Sequence, residues 1–166
     1  PLPLDFAPIE WVQSTGKEWV DTGIPARFGL AFDADLMPCA SVNNVCVCGA
    51  FDAANADGKY RLLLLHIFNG WFYRAGARSA SVGTATKDAR TTIHTEILQG
   101  SQKLVIDGEQ KNASTATSDY TNLGTVNLFL FALNYGNSRA DYFSQTRIYS
   151  CKITDVVNDN TVLRDF

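Results

Sequence analysis

This chain has no basic stripe, no block of like charges and no apolar run long enough to cross a bilayer. Its net charge is −3, so a phosphate backbone or an anionic lipid surface would find little electrostatic purchase, and neither nucleic acid nor membrane insertion is expected. The longest apolar stretch, Leu62 to Leu65 with Ile67 and Phe68 just beyond His66, falls far short of the roughly 20 residues of a spanning helix. Cysteine is also sparse. Cys39, Cys46, Cys48 and Cys151 make no disulfide-dense scaffold and do not reveal a redox compartment. If Asn43-Asn44 closes a two-residue hairpin, Cys39 faces Cys48 and a cross-strand bridge is available. A zinc cluster would need a fourth ligand and better spacing, and small buried apolar side chains remain the simpler reading. The opening "PLPLDFAP" has neither a basic start nor a long apolar stretch. It reads as a Pro-rich linker or the edge of a larger chain, with residues 1–8 as linker and 9–166 as a single domain.

What is present is a neutral, apolar-rich chain. Apolar residues make up 46% and charged residues 19% of 166 positions, enough to bury a core without staples. β-type segments of four to nine residues alternate with turn signals, which predicts an all-β fold of about ten or eleven strands, a two-sheet antiparallel sandwich. In "FGLAFDADL" (28–36), Phe28, Leu30, Phe32, Ala34 and Leu36 share one face and Asp33 and Asp35 the other, the signature of a half-buried strand. Strands 91–98 and 102–107, joined through Gly100-Ser101, are expected to set Ile97 against Leu104 and Thr95 against Ile106, with His94, Glu96 and Asp107 pointing outward. No helix of ordinary length is predicted.

Several stretches, taken in order, resemble one family. "IEWVQSTGKEWVDTGI" (9–24), "HTEILQGSQKLVIDGE" (94–109) and "LFLFALNYGNSRADYFSQTRIYSCKI" (128–153) followed by "LRDF" are similar to the laminin-G-like, concanavalin-A-like jelly-roll domains of bacterial secreted, surface and phage-borne proteins. Trp11 and Trp19 stand where that family usually has tyrosines, and the chain stops where such domains often continue. The resemblance implies two packed antiparallel sheets. It implies function only coarsely, because lectins, carbohydrate-binding modules, glycosidases and adhesion domains share the fold.

One hairpin carries the main functional expectation. Asn69-Gly70 between apolar runs is a strong two-residue turn signal. It predicts that Phe68 faces Trp71 and His66 faces Tyr73, with Tyr60, Leu62, Leu64, His66, Phe68, Trp71 and Tyr73 on one face. Flat aromatic surface with hydrogen-bonding tips suits a sugar ring, so His66, Trp71 and Tyr73 are candidate ligand contacts; filling a core is the competing reading. The loop 132–143 adds Asn134, Tyr135 and Arg139 at the rim, together with Asn137 and Tyr142.

Chemistry beyond binding is weakly signalled. Glycosidases of this fold need paired carboxylates in a Glu-x-Asp-x-(x)-Glu run, and Glu10, Glu18, Glu96 and Glu109 form none. His94 opposite Asp107 could imitate part of a triad, yet no serine or cysteine sits in a nucleophile-elbow context. No catalytic residue, metal ligand or cofactor is therefore assigned. Calcium is the one cofactor considered, at Asp52, Asn55 and Asp57 in "DAANADG", where a solvated loop is the preferred reading. "NAS" (112–114) fits a glycosylation acceptor if the chain is made in a eukaryotic secretory pathway. The expectation is a non-catalytic carbohydrate-binding, lectin-like domain of a larger secreted or cell-surface protein, with a glycan or polysaccharide as partner and neighbouring domains of the larger chain as further contacts. The alternative is a structural or adhesive domain without a glycan; a hydrolase is third.

Overall fold

The computed structural model describes residues 10–40, 43–52, 61–68, 70–75, 78–114, 126–136 and 139–166. Strand β3 (Leu30–Pro38) shows why the chain forms a sandwich: Leu30, Phe32, Ala34 and Leu36 are buried, while Asp33 and Asp35 face outward. Burying each large apolar side chain contributes about 1.5–3 kcal/mol. A strand with one such face needs a second layer to cover it. β3 lies centrally in a seven-stranded sheet. Its order is β1 (Val12–Gln13), β14 (Thr146–Asp155), β3, β8 (Thr91–Leu98), β9 (Ser101–Ile106) and β10 (Glu109–Ser114), with β15 (Thr161–Asp165) also on β14.

The second sheet has eight strands. Its main path runs β13 (Ala140–Asp141), β12 (Leu133–Asn134), β4 (Val45–Phe51), β5 (Arg61–Ile67), β6 (Trp71–Ala75) and β7 (Arg78–Val82); β11 (Asn127–Leu130) joins β4 to β2 (Val20–Pro25). Inward side chains of both sheets form one apolar core, including Phe32, Leu36, Leu64, Ile97, Leu104, Leu128 and Ile153. The described residues form no helix. The fold is thus an all-β two-sheet sandwich, as the strand spacing predicts.

Two expected pairings are corrected. Strands β3 and β4 lie in different sheets, so no hairpin forms at Asn43-Asn44. Cys39 instead donates its backbone N–H to Gln145 O, 2.8 Å away, and all four cysteines are free thiols. The β8–β9 register is shifted by two residues: Ile97 pairs with Gln102, Thr95 with Leu104 and Ile93 with Ile106. A two-residue shift preserves which side chains face inward, so Ile93, Thr95 and Ile97 are still buried. Asp107 and Gly108 both have positive φ, 49° and 79°, and close the β9–β10 hairpin as a primed turn requires.

One end of the seven-stranded sheet is tied by Asp155. Its carboxylate accepts from Arg27 Nη2 and Asn158 Nδ2, both at 2.6 Å, and from the backbone N–H groups of Val157 and Asn158 at 3.2 Å. These donors, Arg27 first, hold its pKa at about 2. Asp155→Ala is expected to lose about 1.5–3 kcal/mol of stability in denaturant unfolding, the net worth of hydrogen bonds to a charged group. The parent should lose this contribution as pH falls from about 4, the unfolded carboxylate range, toward 2; an acid profile identical in the variant would refute that role.

Candidate functional site

The site is set by an irregularity in two neighbouring strands. In β4, Val47 and Cys48 are consecutive yet both belong to the core cluster, and the register to β5 shifts on either side of Cys48. In β5, Leu64 and Leu65 are likewise both in the core, with a register shift between Leu63 and His66 against β6. Strict alternation would send one residue of each pair outward; the bulges send both in. Beyond them the parity reverses, and Cys46 and His66, paired across β4 and β5, stand on the outer face with Phe51 and Leu63.

This reversal corrects the expected hairpin. Its loop holds three residues, Phe68 to Gly70, because Ile67 pairs with Trp71 and His66 with Phe72. Trp71 and Tyr73, 2% and 0% exposed, are core side chains, and Tyr73 hydroxyl deprotonation is disfavoured by burial. They are not available to a ligand. His66 turns the other way, beside Phe72 and Arg74, which the simple alternation had set on the opposite face. The slip follows from the bulge and the longer loop, neither of which has a clear mark in a run of four leucines.

On the outer face a cavity of about 210 Å³ is bounded by Arg61, His66, Phe68, Phe72, Arg74 and Tyr142, with Asn44, Leu63 and Leu133 completing its wall. The His66 ring meets Phe72 and Tyr142 edge-on, with centroids 5.7 and 6.2 Å apart. Its Nε2 lies 3.2 Å from Asn44 Oδ1, so the neutral ring donates there, while Nδ1 is buried without a partner. Burial, aided by the charge of Arg61, lowers the His66 pKa to about 4. Arg61 also covers the Phe51 ring at 4.4 Å.

The second half of the face comes from the loop after β12. Cys46, Phe51, Leu63 and Leu133 form a small buried cluster against which Phe72, Tyr135 and Tyr142 pack. Tyr135 and Tyr142 stack at 5.9 Å, and Arg139 lies over Tyr135 at 5.2 Å. Tyr135 therefore adjoins the cavity edge, and Arg139, also paired with Asp141 at 3.2 Å, is exposed. Asn134 is different. It is buried, donating to Asn127 O at 2.8 Å and accepting from Gly136 N–H at 2.9 Å, so its amide orders the loop. Of the six expected contacts, His66, Tyr135 and Arg139 share this face, whereas Trp71, Tyr73 and Asn134 are structural. Arg61, Phe72 and Arg74 line the cavity beside His66 without being among the expected contacts, and Tyr142, expected at the rim, joins them. Asn137 and the Asn55–Asp57 part of the calcium motif lie outside the described residues.

The His94–Asp107 pair is not formed. His94 pairs with Val105 across the strands; its Nδ1 lies 2.8 Å from Asp33 and its Nε2 3.7 Å from Glu96, a carboxylate where a triad would need a nucleophile. Asp107 instead accepts from Thr92 N–H at 2.8 Å. Among the described residues no group of three or more His, Cys, Asp or Glu could hold a metal ion, and no helix is long and apolar enough to cross a membrane.

No protein-family model matches the chain, and no curated protein matches it either. Solved structures do. Domains LG4-5 of the mouse laminin alpha1 chain align with a TM-score of 0.59 at 12% identity, over 96% of this chain and 45% of that one. A mutant Trypanosoma rangeli sialidase displaying trans-sialidase activity aligns at 0.53 and 11% identity, over 76% and 20%. Domain 4 of AbnA, a GH43 extracellular arabinanase from Geobacillus stearothermophilus, in complex with arabinotriose, aligns at 0.51 and 10% identity, over 95% and 84%. The chain thus spans less than half of the laminin fragment. The fold these likenesses define is the laminin-G-like, concanavalin-A-like jelly roll.

Two measurements check this placement. Trp71→Ala should cost about 3–5 kcal/mol in urea unfolding, as for a large core aromatic; a variant as stable as the parent would place the indole outside the core. The folded His66 pKa lies below its unfolded value of about 6.5. Between pH 6.5 and 4 the unfolded chain therefore binds a proton the native one refuses, and stability falls as pH drops through that window. His66→Phe should flatten this part of the pH profile, and an unaltered slope would exclude the assignment.

Proposed function

We propose that this chain is a non-catalytic, lectin-like module that binds a glycan on the outer face of its eight-stranded sheet. The observation that carries the reading is the cavity in which Phe68, Phe72 and Tyr142 supply aromatic surface while Arg61, Arg74 and Asn44 supply polar groups. Sugars need that combination: C–H faces pack on rings while hydroxyls take hydrogen bonds. The arabinanase domain bound to arabinotriose supports a carbohydrate role at a coarse level, and the extracellular setting of that enzyme supports secretion or surface display. The absence of a paired-carboxylate run in the sequence supports binding over hydrolysis.

A second reading rests on a different surface. Trp11, Val12, Trp19, Val20 and Phe166 are large apolar side chains left exposed, and all but Trp19 line an apolar groove of about 300 Å³ between the edges of the two sheets. An exposed apolar patch of this kind marks contact with another protein surface, which favours a structural or adhesive domain.

A glycan-array screen followed by calorimetry of Phe72→Ala separates the two. Removing one stacking ring should weaken glycan binding by about three- to tenfold, the equivalent of roughly 0.5–1.5 kcal/mol, with the far-ultraviolet spectrum unchanged. Equal binding by the variant would move the site off this face. Silence of the parent across the array would leave the adhesive reading as the better one.

A further inference from the structure

We infer that the glycan held on this face is an extended chain running across the eight-stranded sheet, with one sugar ring in the cavity beside His66 and a later ring stacked on Trp19. The inference rests on the glycan-binding reading above. It adds the form of the ligand, a chain rather than a single terminal sugar, and a second subsite.

Trp19 immediately precedes β2 and is 44% exposed. It stands apart from the apolar groove that Trp11, Val12, Val20 and Phe166 line. Its ring packs instead on Phe129, with centroids 5.9 Å and planes 25° apart, and Phe143 leans against it at 6.2 Å. Phe129 is buried between Leu128 and Leu130, whose side chains belong to the core, so alternation along β11 turns it to the outer face. An indole stacked on a buried ring has one side filled and offers its remaining surface to solvent. Such a plane, fixed before a ligand arrives, suits the C–H face of a sugar and spares the cost of ordering a loose side chain. Beside it Asn127 Nδ2 donates to Asp21 Oδ2 at 3.3 Å on the exposed side of the sheet, an amide and a carboxylate within reach of sugar hydroxyls.

The platform is continuous with the cavity. Tyr142 and Phe143 are consecutive, and strict alternation would part them. Tyr142 has a positive φ of 51°, and its carbonyl accepts from Cys46 N–H at 2.7 Å. Tyr142 then meets His66 at 6.2 Å while Phe143 meets Trp19 at the same distance. A series of rings thus runs from Phe72 through His66, Tyr142 and Phe143 to Trp19. The strands beneath lie in the order β2, β11, β4, β5 and β6. From β2 to β5 is three strand spacings, about 14 Å, more than one sugar ring covers. The cavity, at about 210 Å³, is below the roughly 300–1,000 Å³ of pockets that enclose a whole drug-sized ligand. It takes one ring and leaves the rest of a chain to the surface that leads to Trp19.

The test is calorimetry of the intact chain with ladders of arabino-, xylo- and cello-oligosaccharides from two to six units. For one ladder the six-unit probe should bind about three- to tenfold more tightly than the two-unit probe, the worth of one added stacking ring. Trp19→Ala should erase that gain and bring the six-unit affinity down to the two-unit level, whereas Phe72→Ala should weaken binding at every length. Acrylamide quenching of the parent's indole emission should fall with the six-unit probe and not with the two-unit probe. The length series and the quenching use the parent protein and so stand even if Trp19→Ala folds poorly. A flat length dependence, or a gain that Trp19→Ala leaves intact, would overturn the second subsite while leaving a glycan module in place. Array binding to short terminal sugars with no ladder bound would do the same. Silence of ladders and array alike would overturn both.

Discussion

The outer face of this sandwich depends on one backbone constraint, the pair of side-by-side bulges in β4 and β5. Each places two consecutive residues in the core, Val47 with Cys48 and Leu64 with Leu65. A bulge in one strand alone would bring its outward residues out of step with those of its neighbour. With both strands bulged at the same level, the parity change is shared, and Cys46 stays paired with His66 on the far side. The core gains one additional apolar side chain from each strand, and the outer face gains a histidine between rings. The packing below and the chemistry above are therefore one decision of the backbone.

Gly49 shows how tightly this is held. A Cβ there would come within 2.8 Å of Cys46 Sγ and 2.9 Å of Leu63 Cδ2, closer than packed atoms tolerate. The missing side chain lets Cys46, Leu63, Phe51 and Leu133 close into the small outer cluster. That cluster in turn supports Tyr135, Tyr142 and Phe72, so the rings bounding the cavity stand on packed apolar atoms. On this outer face the His66 Nδ1 is enclosed with no partner. A buried polar atom without a partner costs stability, and the same burial, with the charge of Arg61, lowers the His66 pKa.

The regular parts of the molecule were legible in the sequence because alternation is a local signal. Asp33 and Asp35 flank Phe32 and Ala34, and no register question arises within a single strand. The β8–β9 pair shows the next level: its shift of two residues left every face correct, since side chains repeat with period two. The hairpin at Asn69-Gly70 shows where legibility ended. One extra loop residue and a bulge in "LLLLH" reversed the facing of His66 relative to Leu62 and Leu64, and a run of four leucines gives no apolar–polar contrast from which a bulge can be read. Trp71 and Tyr73 were correctly assigned to one face, but it was the core face. Asn134 had the chemistry of a ligand contact and is occupied by its own backbone. The charge of Arg61 and Arg74 was visible in the sequence, whereas their convergence on His66 follows only once the parity change is known.

The same convergence explains why the sandwich has two unlike outer surfaces despite a near-uniform composition. On the seven-stranded sheet, charged groups answer one another: Arg90 meets Asp35 at 2.6 Å and His94 meets Asp33 at 2.8 Å. Such pairs in partial contact with water contribute little stability, but they leave the local field nearly balanced. On the eight-stranded sheet the cavity wall sets Arg61 and Arg74 beside the rings of His66, Phe68, Phe72 and Tyr142. A face selected only for solubility would not need cations beside rings, nor a histidine buried at the expense of its protonated form.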